Sequence, residues 1–247
     1  SYFYYLTGFR EPEAVLVIIA ATGQEPAKHI LFCREKNLER EIWDGYRFGP
    51  DAAKEVFGFD EAYPLAKLDE LLPGLLSDQL AVYTALGQDP NWDQRVTGWL
   101  NRVRDLARTG VTAPREIYDY RAILDEMRLI KSTDELQIMQ RAADISAQAH
   151  QRAMQAVRPG MREYEIEAEL LHTFVRHGAQ APAYTSIVAG GANACILHYV
   201  QNDAELKSGD LLLIDAGCEL NGYASDITRT FPVNGKFTAA QRDVYQL

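Results

Sequence analysis

Two aspartates, Asp215 and Asp226, flank an Asn-Gly dipeptide within LLLIDAGCELNGYASDITRTFPV (211–233), a spacing at which two carboxylates can share a cation. Asp215 closes an otherwise apolar run, Leu211 to Ile214, and Asp226 lies in a second strand-like run. Between them Asn221–Gly222 is the strongest short-range signal for a two-residue type I′ hairpin. That turn pairs Leu220 with Tyr223, sets Gly217 opposite Asp226 and sets Thr228 opposite Asp215. Strand side chains alternate faces and opposed residues share one, so both aspartates project from the same face as diagonal neighbours. The diagonal spacing of roughly 7–8 Å lets the carboxylates converge. Gly217 leaves that point unobstructed, and Thr228 is placed to hydrogen-bond a ligating carboxylate. Two like charges on an apolar face repel and lose hydration, which a bound cation compensates. Oxygen-only ligands favour manganese, magnesium or calcium. The alternative leaves one aspartate in solvent or capping the following turn.

His198 is the next candidate, in CILHYV, where it follows Ile196 and Leu197 in a strand-like run. A lone strand histidine is more often a satisfied core or edge group, but the turn-rich Ala189–Asn193 (AGGAN) before it brings it near a site rim. The spacing G-x-G-x-x-G is absent, as is a phosphate-binding P-loop. There is no G-x-S-x-G elbow, so Ser186 is a poor nucleophile. His150 and His172 lie on helical faces and His177 precedes a helix-ending glycine; all three read as structural. Trp43, in EIWDGYRFG, reads as a core residue, although an aromatic, Gly-containing loop could also cover a pocket.

The elements that must carry these groups fall into two textures. Early in the chain, Ala14–Ala21 and His29–Cys33 read as strands, Asp51–Phe57 as a helix ended by Gly58, Leu65–Leu76 as a helix disturbed by Pro73–Gly74, Leu80–Ala85 as a strand and Pro90–Ala107 as a helix. This is an α/β layered region. Near Arg128 the pattern changes: Ser132 with Glu135 is a capping-box signature opening a long helix that ends at Pro159–Gly160. A second helix stops at Gly178. From Tyr184 onward Thr185–Ala189, Cys195–Val200, Leu211–Ala216 and Tyr223–Val233 read as strands, and Thr238 caps a final helix. The domains are expected to be 1–128 and 129–247. SYFYYLTGF at the start reads as strand already under way, and the final helix stops uncapped, so both ends are expected to be cut.

The 247 residues are 47% hydrophobic and 24% charged, which argues against disorder and fibrous repeats. Lys plus Arg number 25 against 35 Asp plus Glu, a net charge of −10 that argues against nucleic acid as partner. The longest strongly apolar run, Ala14–Ala21, is eight residues, too short to span a membrane, and no signal peptide is visible. Three cysteines, Cys33, Cys195 and Cys218, form no CxxC pair and read as free thiols of a cytoplasmic protein.

YLTGFREPEAVLVI, EMRLIKSTDELQIMQRAADIS, ILHY, LIDAGCELNGYASDITRTFPVNGKF and TAAQRDVY together resemble the aminopeptidase P family, the Xaa-Pro aminopeptidases of the pita-bread metallopeptidases. The resemblance implies an α/β (α+β) fold: an N-terminal creatinase/prolidase-type α/β domain, then the first half of a pita-bread catalytic domain built on an antiparallel sheet. It implies two divalent metal ions, manganese by family habit, held by two Asp, one His and two Glu. Asp215 and Asp226 match the two Asp, with Asp226 bridging both metals, and the other three ligands lie downstream in the family. His198 matches a histidine that contacts substrate without ligating metal, and Tyr184 matches a pocket-lining tyrosine. Trp43 matches a tryptophan that approaches a neighbouring subunit's site, so a homodimer or homotetramer is implied. The implied activity is removal of an N-terminal residue from peptides with proline second. The alternatives are a prolidase, which cleaves only dipeptides, and a non-catalytic peptide-binding module.

Overall fold

Ile30–Cys33 is apolar on both of its faces, and it becomes the middle of a sheet buried from both sides. The computed structural model describes residues 1–23 and 25–247. Its contacts divide the chain into two units, Ser1–Ile130 and Lys131–Leu247.

In the first unit α1 (Tyr2–Thr7) precedes β1 (Val15–Ile19), β2 (Lys28–Cys33), α2 (Leu38–Asp44), α3 (Gly49–Phe57), β3 (Glu61–Pro64), α4 (Leu68–Leu76), β4 (Ala81–Tyr83), α5 (Pro90–Asp105), β5 (Glu116–Tyr118) and α6 (Arg121–Leu129). β2 lies between antiparallel β1 and parallel β3, and β4 pairs with β5. Ile30 and Phe32 face α4 and α5, packing with Leu68, Leu72, Val96 and Trp99. Leu31 and Cys33 face the other way, onto Phe9, Ala53 and Phe59.

Two expectations fail here. Tyr2–Thr7 is helix, not strand: the Ser1 hydroxyl accepts from the Tyr4 amide and Gly8 ends the turn at φ 66°. Local capping outweighs the β propensity of the aromatics. Trp43 is not core; it stands on α2 and is 84% exposed, beside the also exposed Leu38 and Ile42.

The second unit runs α7 (Thr133–Ala156), α8 (Glu163–Arg176), β6 (Ala181–Pro182), β7 (Ile187–Gly190), a 3-10 turn (Gly191–Cys195), β8 (Leu211–Ala216), β9 (Cys218–Leu220), β10 (Tyr223–Ala224), β11 (Ile227–Pro232) and α9 (Ala239–Tyr245). The Ser132–Glu135 capping box opens α7. All pairings of its strands are antiparallel, in the orders β10-β9-β6 and β11-β8-β7. Leu212, Ile214, Ala216, Cys218 and Leu220 point to one face and pack on Ala142, Ile145, Ala149 and Ala153 of α7 and Ile166, Leu170 and Phe174 of α8. The opposite face carries Leu211, Leu213 and Asp215. Among the described residues no helix is long and apolar enough to cross a membrane.

Candidate active site

The hairpin keeps the register that Asn221–Gly222 dictates. Leu220 pairs with Tyr223, and both turn residues have the positive φ a type I′ turn requires, 50° and 84°. Beyond a break at Gly217 and Ser225 the same register resumes, with Ile227 opposite Ala216 and Thr228 opposite Asp215.

The break is built, not loose. The Ser146 and Ser225 hydroxyls lie 2.7 Å apart, and both accept from the Cys218 amide at 3.0 Å. Ser225 is drawn to the helix-facing side and Asp226 is left on the other. Gly217 has a different role from the expected one. A Cβ there would sit 1.7 Å from the Ser225 carbonyl oxygen, so the missing side chain admits the partner strand's backbone. Beneath Asp215, His150 is 2% exposed and donates from Nε2 to the Ala216 carbonyl at 3.1 Å. Burial holds its pKa below the ordinary histidine value.

Tyr184 completes the cluster. Its hydroxyl lies 2.6 Å from Asp215 Oδ1 and 2.9 Å from Asp226 Oδ1, so both carboxylates converge on one oxygen. Burial, reinforced by both carboxylates, raises its pKa far above the tyrosine norm, and the phenol keeps its proton. That single proton serves two acceptor-only groups, which leaves negative charge uncompensated at the point of convergence. A divalent cation with hard oxygen ligands fits this donor set in type. Among the described residues no group of three or more His, Cys, Asp or Glu adds to it. Thr228 opposes Asp215 in register, yet no hydrogen bond joins its hydroxyl to that carboxylate.

His198 is exposed but not in a strand. Gly191–Cys195 forms a 3-10 turn, and residues 196–198 continue as bend and turn. The stretch is shaped by hydrogen bonds from three buried side chains, Glu163, Tyr199 and Asn202, and from the partly buried Asn193. Cys195 is exposed, and Cys33 and Cys218 are buried; all three are free thiols.

Family models match both parts of the chain: "Aminopeptidase P, N-terminal domain" over residues 1–83 and "Metallopeptidase family M24" over 137–247. The Xaa-Pro aminopeptidase of Escherichia coli strain K12 is 49% identical over 247 residues, covering 100% of this chain and 56% of that protein. The chain belongs to the aminopeptidase P family of M24 metallopeptidases. Its fold is that of the family's pita-bread structures. Aminopeptidase PepP of Pseudomonas aeruginosa superposes with a TM-score of 0.95 at 51% identity, covering 100% of this chain and 55% of that one. A zinc-substituted aminopeptidase P from Escherichia coli in complex with product gives a TM-score of 0.95 at 49% identity, covering 99% and 56%. The chain thus spans about half the length of the aminopeptidase P relatives it matches.

Of these site features, sequence reasoning missed the Ser146–Ser225 pair and Glu163. Ser225 carried a signal, because it precedes Asp226 and must take the opposite face. Glu163 carried none in its own neighbourhood.

Proposed function

We propose that this chain contributes to a Xaa-Pro aminopeptidase, which removes the N-terminal residue from peptides with proline second. The convergence of Asp215 and Asp226 on the Tyr184 hydroxyl is the observation that carries the reading. Asp215 and Asp226 would hold divalent metal, with manganese the ion proposed. When bound, such ions supply a water of lowered pKa and a Lewis acid for the scissile carbonyl. Residues 1–128 serve as an N-terminal domain and 129–247 as catalytic sequence, a division supported by the two contact units.

The chain's own groups then take distinct roles. Tyr184, whose hydroxyl reaches both aspartates, lines the pocket and helps set the carboxylates' orientation. His198, exposed on its turn, donates to the peptide carbonyl and to the oxyanion that develops there. Thr228, opposite Asp215 in register, is placed to hydrogen-bond that carboxylate once a metal draws it into position. Trp43 with Leu38 and Ile42 forms an exposed apolar face that supports a homodimer or homotetramer. Free thiols support a cytoplasmic location.

The test uses the protein at its full natural length. Asp226→Asn should lower bound manganese and abolish cleavage of an Xaa-Pro-Xaa tripeptide. His198→Ala should keep its metal and lose turnover by ~10²–10³-fold. Asp226→Asn with unchanged metal content and turnover would refute the assignment.

A further inference from the structure

The turn that presents His198 has no ladder of its own to hold it. Its two shoulders are fastened to one carboxylate. Glu163, the first residue of α8, is fully buried. Its Oε1 accepts from the Gly190 amide at 2.7 Å and from Asn193 Nδ2 at 3.1 Å, on the side where the chain enters the turn. Its Oε2 accepts from the Tyr199 hydroxyl at 2.7 Å and from the Ala204 amide at 3.0 Å, on the side where the chain leaves. Asn193 also donates to the Tyr199 hydroxyl at 3.0 Å, closing a ring of three side chains beneath the turn.

The rest of the local chemistry serves the same end. Burial, with the Glu163 carboxylate beside it, pushes the Tyr199 phenol up to about 12, so it stays a donor. Gly190 is close enough for its amide to reach Glu163, with Leu206 Cδ2 only 2.7 Å from where a Cβ would stand. Asn202, at φ 49°, fastens the exit again: its Nδ2 donates to the Ser186 carbonyl and its Oδ1 accepts from the Val188 amide. Below the turn, Gly190, Asn193, Tyr199 and Ala204 are all tied to Glu163. Above them Ile196, Leu197 and His198 are exposed.

A buried carboxylate with four donors is costly to assemble and rigid once satisfied. Four bonds from two arms of one turn fix the separation of those arms, and hence the place of the residue between them. We infer that Glu163 is a positioning residue for His198, setting where the imidazole meets the substrate carbonyl. This rests on the role proposed for His198. Glu163 acts through the turn, not by touching substrate or metal.

The test is a double-mutant comparison in the full-length, manganese-loaded enzyme, with an Xaa-Pro-Xaa tripeptide as substrate. Glu163→Gln removes one acceptor and adds a donor among donors. It should lower kcat roughly 10–100-fold, the effect of misplacing a group by about 1 Å, with metal content unchanged. In a His198→Ala background the same change should cost nothing further. Amide exchange should quicken in 190–204 and stay unchanged in α7. Tyr199→Phe removes one of the four bonds with little change of shape; it should show the same coupling at several-fold, and it carries the test if Glu163→Gln does not fold. Equal losses in the wild-type and His198→Ala backgrounds would overturn the inference, as would faster exchange throughout α7. Full turnover in His198→Ala, with faster exchange in the turn of Glu163→Gln, would sink the role of His198 and this inference with it, while leaving Glu163 as the turn's anchor.

Discussion

The second unit presents its candidate site side chains by two different means. The hairpin that carries Asp215 and Asp226 is placed by main-chain register, from a two-residue turn outward. The turn that carries His198 is placed by buried side chains from α8 and from its own two arms. A ladder transmits a local signal along a strand, because each pairing fixes the next. A side-chain ring transmits nothing along the chain, since its members meet only after the fold has brought them together. The hairpin should therefore fail when its backbone is obstructed, and the turn when a polar group loses its partner.

The sharpest way to break that comparison is to add one methyl group on each side. Gly217→Ala puts a Cβ 1.7 Å from a backbone oxygen, with the Ser225 carbonyl carbon at 2.4 Å. Neither atom can turn aside without parting the strands. The expected loss exceeds the ~1–3 kcal/mol typical of overpacking, and denaturant unfolding should show it in the second unit. Gly190→Ala meets the end of the Leu206 side chain instead, which can rotate. Its cost should stay within ~1–3 kcal/mol. Equal losses would remove the distinction between a backbone-built and a side-chain-built region.

A second pair removes polar partners. Asn202→Ala leaves the Val188 amide and the Ser186 carbonyl without that partner in a buried setting. Each unpaired buried group costs ~1–3 kcal/mol. Ser225→Ala leaves the Cys218 amide still bonded to Ser146, so its cost should be the smaller. Thermal unfolding of the two variants would rank them, and the reverse order would contradict this account.

The same division decides what was legible beforehand. Asn221–Gly222 states its turn type in two letters, and the facing of Asp215, Asp226 and Thr228 follows by counting. The long helices were legible through caps and spacing, as at Ser132–Glu135. Cys195–Val200 reads as strand because Cys, Ile, Leu, Tyr and Val suit one. Yet Tyr199 gives its hydroxyl to Glu163, 36 residues away, and the segment turns. Tyr2–Thr7 failed for the opposite reason, a helix decided by a serine cap and a glycine stop against aromatic propensity. Trp43 shows a third limit: a large apolar side chain states a preference for burial but not what will bury it. The Gly-Gly of AGGAN was the one visible sign of a close approach, and it did not name the partner.

Removing the turn's first residue tests the register argument at lower cost. Asn221 has φ 50°, where a β-carbon is disfavoured and asparagine is tolerated better than most residues. Asn221→Ala should destabilise by ~1 kcal/mol, and Asn221→Gly should do so by less. A loss as large as that of Gly217→Ala would mean that the turn, and not the close packing beyond it, dominates the hairpin's stability.

The smallest effect is one of acidity, and its sign follows from burial. His150 is enclosed beneath Asp215, and a carbonyl can only accept, so the Nε2 bonded to Ala216 carries the proton of a neutral ring. Burial depresses its pKa most, and Arg229 pushes the same way; the Ala216 carbonyl and Asp215 oppose them. Unfolded, the ring returns to the ordinary value of about 6.5 and binds a proton more readily than the folded chain does. Stability supplied by this group is therefore complete above about pH 6.5 and drains away as the pH falls from there toward the depressed folded value. Carboxylates contribute their own acid dependence, so the comparison is with His150→Gln, which keeps a donor for Ala216 and has nothing to titrate. Thermal midpoints measured from pH 8 to pH 5 should fall more steeply for the parent chain than for His150→Gln. Parallel curves would mean that the ring accepts its proton in the folded state as easily as in the unfolded one, and that the backbone beside Asp215 is less closely packed than the hairpin's register requires.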